Sequence, residues 1–122
     1  MFEVTEVSIA ELRAALEAGR TTAVELVEAY LARIDAYDGA DTTTQLNAVV
    51  VRNPDALKEA EASDARRARG EPLSPLDGIP YTAKDSYLVK GLTAASGSPA
   101  FKDLVAQRLS LIHISEPTRP LY

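Results

Sequence analysis

Apolar and polar positions along this chain fall into three blocks of helical spacing, followed by shorter runs with strand character. The first block opens at Ser8-Ile9-Ala10-Glu11. Serine at the N-cap with glutamate three positions on forms a capping box, and Val7 and Leu12 fall where a hydrophobic staple closes. Ile9, Leu12 and Leu16 share one face, and Gly19 stands where a left-handed residue ends a helix. The second block repeats the device in Thr22-Ala23-Val24-Glu25, with Leu26 at N4. Its staple is missing, because Thr21 is polar. Leu26, Val27, Tyr30, Leu31 and Ile34 make a broad apolar stripe, predicted to end near Asp38-Gly39. Two capped helices joined by Gly19-Arg20-Thr21 predict a helical hairpin.

Gly39–Thr44 is a polar loop. Leu46–Val51, LNAVVV, is a short β-branched run and the first predicted strand. Asn53-Pro54-Asp55 then starts a third helix, with Asn as N-cap, Pro at N1 and an acid in the first turn. It is predicted to reach Arg69 and to close on Gly70, burying Ala56, Leu57, Ala60 and Ala68. Each proline of Glu71-Pro72-Leu73-Ser74-Pro75 pushes its predecessor away from helix, so this is an extended linker. Asp77-Gly78 favours a turn. Ile79–Ala83 reads as a second strand with Pro80 near its start, Gly91 marks another turn, and Ala94–Ala100 is loop-like.

Composition narrows the chemistry. With 122 residues there is room for one modest core. The net charge of −5 argues against non-specific nucleic-acid binding, which needs clustered Lys and Arg. The basic run Arg66-Arg67-Ala68-Arg69 follows Glu59, Glu61 and Asp64, and on a helix it complements the dipole. The absence of cysteine excludes disulfides, zinc thiolate sites and thiol nucleophiles. No apolar run approaches membrane-spanning length. The N-terminus lacks a basic region followed by an apolar stretch, so no secretory signal is expected and the cytoplasm is the default. One histidine, His113, is too few for a His-based metal site. What remains is serine, carboxylate or lysine chemistry, with no cofactor and no metal expected.

The stretch Leu76–Leu92, LDGIPYTAKDSYLVKGL, combines turn chemistry with a lysine. A lysine after a strand is ordinarily a solvated surface charge. Lys84 is set apart by Gly78 and Pro80, which fix the approaching backbone, and by Ile79, Tyr81 and Ala83, whose apolar character predicts burial of one face. Burial disfavours an ammonium and would suit a lysine to act as a general base. For Asp85, a turn-stabilising carboxylate is the simpler reading than one that positions the strand end.

Leu76-Asp77-Gly78-Ile79-Pro80 followed by Lys84-Asp85 resembles the lysine block of the amidase signature family. Thr22–Asp38 and Leu46–Ala60 are similar to that family's N-terminal helices and first strand, and the similarity runs from Val7 to Arg108. The resemblance implies an α/β fold, a mixed sheet flanked by helices, of which residues 1–108 would hold the N-terminal helices and first strands. It also implies hydrolysis of a small-molecule amide by a Ser–cis-Ser–Lys mechanism. In that mechanism Lys84 acts through a bridging serine to deprotonate a serine nucleophile, an amine or ammonia leaves, and water releases the acyl-enzyme. Backbone N–H groups of a Gly-rich loop would stabilise the oxyanion. Two alternatives remain open. One is the A subunit of a glutamyl/aspartyl-tRNA amidotransferase, which would bring ATP and partner subunits. The other is a non-catalytic helical interaction module. No membrane or nucleic-acid partner is expected of the stand-alone enzyme, and the oligomeric state is not legible.

The family's serine-bearing segment lies well downstream of its lysine block. Ser96-Gly97-Ser98 follows Lys84 too closely and lacks a Gly-Gly-Ser pattern, so it reads as loop. The expectation is therefore a fragment without its serines, inactive as it stands. Residues 109–122, LSLIHISEPTRPLY, break with what precedes them. The part through Arg119 looks like the translation of a transposase sequencing adapter, so this segment is expected to be non-native, which removes His113 from any site.

Overall fold

The computed structural model describes residues 2–107. The predicted tail 109–122, with His113, lies outside them. The chain divides into two compact units. One is Met1–Val49 with Pro54–Tyr81, and the other is Val50–Asn53 with Thr82–Tyr122.

The first unit is built on three helices, α1 (Ile9–Glu17), α2 (Ala23–Tyr37) and α3 (Ala56–Ala68). Both predicted capping boxes form. Ser8 Oγ accepts from Glu11 N at 3.2 Å while Glu11 Oε2 accepts from Ser8 N at 2.8 Å. Thr22 Oγ1 and Glu25 make the same reciprocal pair at 3.1 Å each. Where the second staple is missing, Thr21 is itself buried and its hydroxyl donates to Glu25 Oε2 at 3.1 Å. Helix α1 ends in a Schellman motif: Arg20 N donates to Ala15 O at 2.9 Å and Gly19 N to Leu16 O at 3.2 Å, with Gly19 at φ +67. Helix α3 closes the same way on Gly70, through Glu71 N to Arg66 O and Gly70 N to Arg67 O, both 2.9 Å.

The core is small. Leu12, Leu16 and Leu26 form its centre, and Phe2, Val4, Val7 and Ile79 pack against it from the edge. Val7 thus sits where the staple placed it. Three expected core positions differ. Ile9 is 59% exposed, because its place one step after the N-cap turns it outward from the Leu12–Leu16 face. On α3 the buried residues are Ala60 and Ser63, while Leu57 and Ala68 are exposed. The α2 stripe is buried at Leu26, with Val27, Tyr30, Leu31 and Ile34 half-buried. The α1 and α2 leucines meet in this core, while the more extensive helix contact of α2 is with α3.

A carboxylate explains the α2–α3 pairing. Asp64 on α3 accepts from Ala23 N at 2.8 Å and from Val24 N at 3.1 Å. These are the first two free donors of α2, and an anion there also meets the positive end of the helix dipole. Asp64→Ala is expected to cost about 2 kcal/mol, since hydrogen bonds to a charged acceptor are stronger than neutral ones. A urea titration followed by circular dichroism measures it, and a midpoint equal to that of the parent chain would refute this role.

The predicted strands do not form. Among the described residues the only sheet pairing is an isolated antiparallel bridge between Thr93 and Val105. In Leu46–Val51, Asn47 takes φ +48, as does Gln45 just before the run, and extended backbone cannot hold that angle. The donors of the segment go instead to the end of α2. Leu46 N bonds Tyr37 O, Asn47 N bonds Asp38 O, and the Asp38 carboxylate accepts from Ala48 N at 2.6 Å and Val49 N at 3.0 Å. Ile79–Ala83 likewise has no ladder partner among the described residues. One pairing not expected from the sequence flanks the predicted loop Ala94–Ala100, which carries no strand. Ala94 N donates to Leu104 O and Ala106 N to Leu92 O, both at 3.0 Å, so 91–94 runs antiparallel to 104–106.

Candidate active site

The stretch around Lys84 begins at the most heavily bonded carboxylate described in the chain. Asp77 has a side chain only 6% exposed. Its Oδ1 accepts from Ser63 Oγ at 2.8 Å and from Arg66 Nη2 at 2.8 Å. Its Oδ2 accepts from Arg66 Nε at 3.0 Å and from Leu73 N at 3.0 Å. The carbonyl of the same residue accepts from Arg67 Nη2 at 2.6 Å. Arg66 and Arg67, which on sequence alone complement the helix dipole, therefore hold the Asp77-Gly78 turn onto α3. The arginine–carboxylate pair is bidentate, the geometry in which such pairs are strongest.

Gly78 follows at φ +92, and the predicted turn is present. A Cβ added there would lie 3.0 Å from Ser63 Oγ, 3.3 Å from Ala23 Cβ and 3.5 Å from Leu16 Cδ1. Those atoms belong to α3, α2 and α1, so the turn is seated where the three helices converge. Ile79 then packs on the leucine cluster.

Hydrogen bonds from Arg66 hold the Asp77 carboxyl far below its ordinary value of 3.8, with Leu73 N and Ser63 adding to the effect against the cost of burial. The consequence for stability has a definite sign. A depressed folded-state pKa contributes stability that is fully present above the unfolded-state value. As the pH falls below about 4 the unfolded chain takes up a proton that the folded chain resists, and the contribution is lost. The parent chain is expected to lose more stability between neutral pH and pH about 2 than Asp77→Asn does. Urea midpoints across that range test this; parallel curves would exclude it.

Lys84 and Asp85 belong to the second unit. Lys84 is exposed, and so are Ala83 and Tyr81, the latter at 78%. The burial predicted from the apolar neighbours is thus absent: without a strand and a second layer, nothing among the described residues covers that face. The Lys84 carbonyl accepts from Tyr87 N at 2.9 Å, making a tight turn. Asp85 Oδ1 accepts from Ala95 N at 3.3 Å, ten residues on, so it ties its turn to a later segment rather than closing the turn locally. An open cavity of about 330 Å³ in this unit is lined by residues including Asp85, Thr93, Ser98 and Lys102, and Lys84 is not one of them. Ser96-Gly97-Ser98 is a turn, with Ser96 at φ +50 and Gly97 at φ +73, leading into a short 3₁₀ turn at Pro99–Phe101. Among the described residues no three acidic or histidine side chains gather as a metal site requires, and no helix is long and apolar enough to cross a membrane.

Residues 25–112 match the family model described as Amidase. The A subunit of the glutamyl-tRNA(Gln) amidotransferase of Chloroflexus aggregans is 41% identical over 117 residues, covering 89% of this chain and 23% of that protein. Its counterpart in Thermobifida fusca is 43% identical over 99 residues, 80% of this chain and 19% of that one. Among solved structures, the native peptide amidase of Stenotrophomonas maltophilia superposes with a TM-score of 0.80 at 38% identity, over 86% of this chain and 21% of its own. The chain spans about a fifth of the length of the curated relatives it matches.

Proposed function

This chain belongs to the amidase family, and from that membership we propose that it supplies the lysine of a hydrolase that breaks carboxylic amide C–N bonds. The observation that carries the reading is the family match itself, which runs through LDGIPYTAKD and includes Lys84. Lys84 is the general base of the set. It takes the proton of a serine nucleophile through a bridging serine, so that the serine can attack the amide carbonyl. Substrates are small-molecule amides. The peptide amidase likeness supports this class, since it extends over 86% of the chain.

The two serines and the oxyanion donors come from residues beyond this lysine block. The exposure of Lys84 fits a base whose partners and cover are supplied by the rest of the fold. The 122-residue chain alone is therefore expected to hydrolyse no amide. The test is to recover the complete reading frame that holds residues 2–107, express its product and assay a panel of peptide and aryl amides. Hydrolysis by that product supports the reading. Turnover by the 122-residue chain itself, or a natural frame that closes at Tyr122, would sink it. The same resequencing decides whether residues 109–122 are native.

A second reading has its own support. Two relatives more than 40% identical to this chain are named as the A component of glutamyl-tRNA(Gln) amidotransferase. In that role the same lysine would serve release of ammonia from an amide donor, for use on tRNA-bound glutamate with partner proteins. Amide hydrolysis that stays silent until those partners and charged tRNA are added distinguishes it from the stand-alone enzyme.

A further inference from the structure

In the turn from Lys84 to Tyr87, Asp85 is half-buried while Lys84, Ser86 and Tyr87 are exposed. The turn closes on its own backbone, with Tyr87 N donating to Lys84 O at 2.9 Å. The Asp85 carboxylate is not needed for that closure. Its Oδ1 reaches out of the turn and accepts from Ala95 N at 3.3 Å. Ala95 adjoins Ala94, which is buried and belongs to the antiparallel pairing of 91–94 with 104–106. That pairing is held by Gly91 N to Ala106 O at 2.8 Å, and by Ala94 N to Leu104 O and Ala106 N to Leu92 O, both at 3.0 Å. Asp85 thus ties the lysine turn to a segment fixed by bonds of its own, and all of these residues lie within the second unit.

We infer that Asp85 is a positioning residue for Lys84, holding the turn that carries the lysine against the paired segments 91–94 and 104–106. The inference rests on the reading of Lys84 as the base. It goes beyond that reading in assigning a role in turnover to a carboxylate that touches no reacting atom. The mechanical link is short. One planar trans peptide, with Cα atoms about 3.8 Å apart, joins Asp85 to Lys84. The bond from Tyr87 N grips the lysine carbonyl within the same turn. A shift of Asp85 therefore passes to Lys84 with little backbone freedom to absorb it. Rates are sensitive to placement, and about 1 Å of displacement costs up to roughly 100-fold. A lysine whose turn has lost this tie loses turnover more than substrate affinity.

The test uses the enzyme of the complete reading frame, with Asp85→Ala, Asp85→Asn and Lys84→Ala assayed beside the parent at a temperature where circular dichroism shows each fully folded. Asp85→Ala removes the acceptor. Its kcat is expected to fall about 10- to 100-fold while KM stays within about threefold. Asp85→Asn keeps an amide oxygen at the same reach without the charge, and is expected to restore kcat to within about threefold of the parent. A purely structural role would lower the melting temperature and leave the kcat of the folded enzyme alone. If Asp85→Ala does not fold, Asp85→Glu carries the test. It keeps the charge but sets the acceptor one methylene further out, and its kcat is expected to fall about 10-fold. With Lys84→Ala inactive, a kcat within about twofold of the parent in the folded alanine or glutamate variant would overturn the positioning role and leave the base assignment standing. Asp85→Asn as impaired as Asp85→Ala would also overturn it, because the carboxylate would then act through its charge and not through placement. An active Lys84→Ala would overturn the base assignment itself.

Discussion

Lys84→Ala in the enzyme of the complete reading frame is expected to lower kcat/KM by about 100- to 10,000-fold, the range for removing a positioned general base. That corresponds to about 3–5 kcal/mol of transition-state stabilisation. The sharper variant is Lys84→Arg. It preserves the charge and most of the length, so a surface lysine serving solubility or an ion pair would tolerate it. A guanidinium does not give up its proton under these conditions, so it cannot take one from a serine. Lys84→Arg is therefore expected to be as impaired as alanine. Steady-state kinetics with a chromogenic amide reads both variants. Arginine supporting more than about a tenth of parental activity would remove Lys84 from the proton path. A thermal melt of each variant followed by circular dichroism separates instability from lost catalysis.

The exposure of Lys84 shows where sequence reasoning fails. Ile79, Tyr81 and Ala83 predict burial only on the premise that alternating apolar residues form a half-buried strand. Burial by alternation needs a neighbouring strand and a second layer. The described residues provide neither, so only Ile79, which reaches the leucine cluster, is drawn inward. Leu46–Val51 departs from expectation for the same reason, its donors being captured by Asp38 at the end of α2. Strand formation is a property of pairs of segments, and a single run of β-branched residues specifies only half of one.

What is legible is local. Ser8 with Glu11, and Thr22 with Glu25, satisfy one another within three residues, so the helix starts can be placed without tertiary information. Gly19 and Gly70 mark the helix ends equally well. The contacts that organise the unit are not local. Asp64 reaches Ala23 across 41 positions and Asp77 reaches Arg66 across 11, and nothing in spacing or composition pairs them. One signal does point to the second pair. An aspartate inside an apolar turn, shortly after two arginines on a closing helix, is expensive to bury unless something neutralises it. The helix dipole is a sufficient local reason for the arginines, and it hides the longer-range one.

Gly78→Ala is expected to carry one of the largest stability effects in the first unit. Gly78→Ala meets two independent costs. At φ +92 an L-residue is strained by about 1–2 kcal/mol, which glycine avoids. The new Cβ would stand 3.0 Å from Ser63 Oγ and 3.3 Å from Ala23 Cβ. Ser63 cannot swing away freely, because its hydroxyl donates to Asp77 at 2.8 Å, and Ala23 is fixed in the first turn of α2 by Asp64. Overpacking of this kind costs about 1–3 kcal/mol. Together the terms reach about 2–5 kcal/mol, a large share of the marginal stability of a small domain. Gly70→Ala separates them: its φ is +75, yet nothing lies within 4 Å of an added Cβ, so it bears the strain alone. Urea midpoints of the two variants should differ by the crowding term. Equal midpoints would mean that the three helices do not close on the turn as described. A Gly78→Ala deficit that shrinks when Ser63→Ala is added would identify the serine hydroxyl as the atom that has to give way.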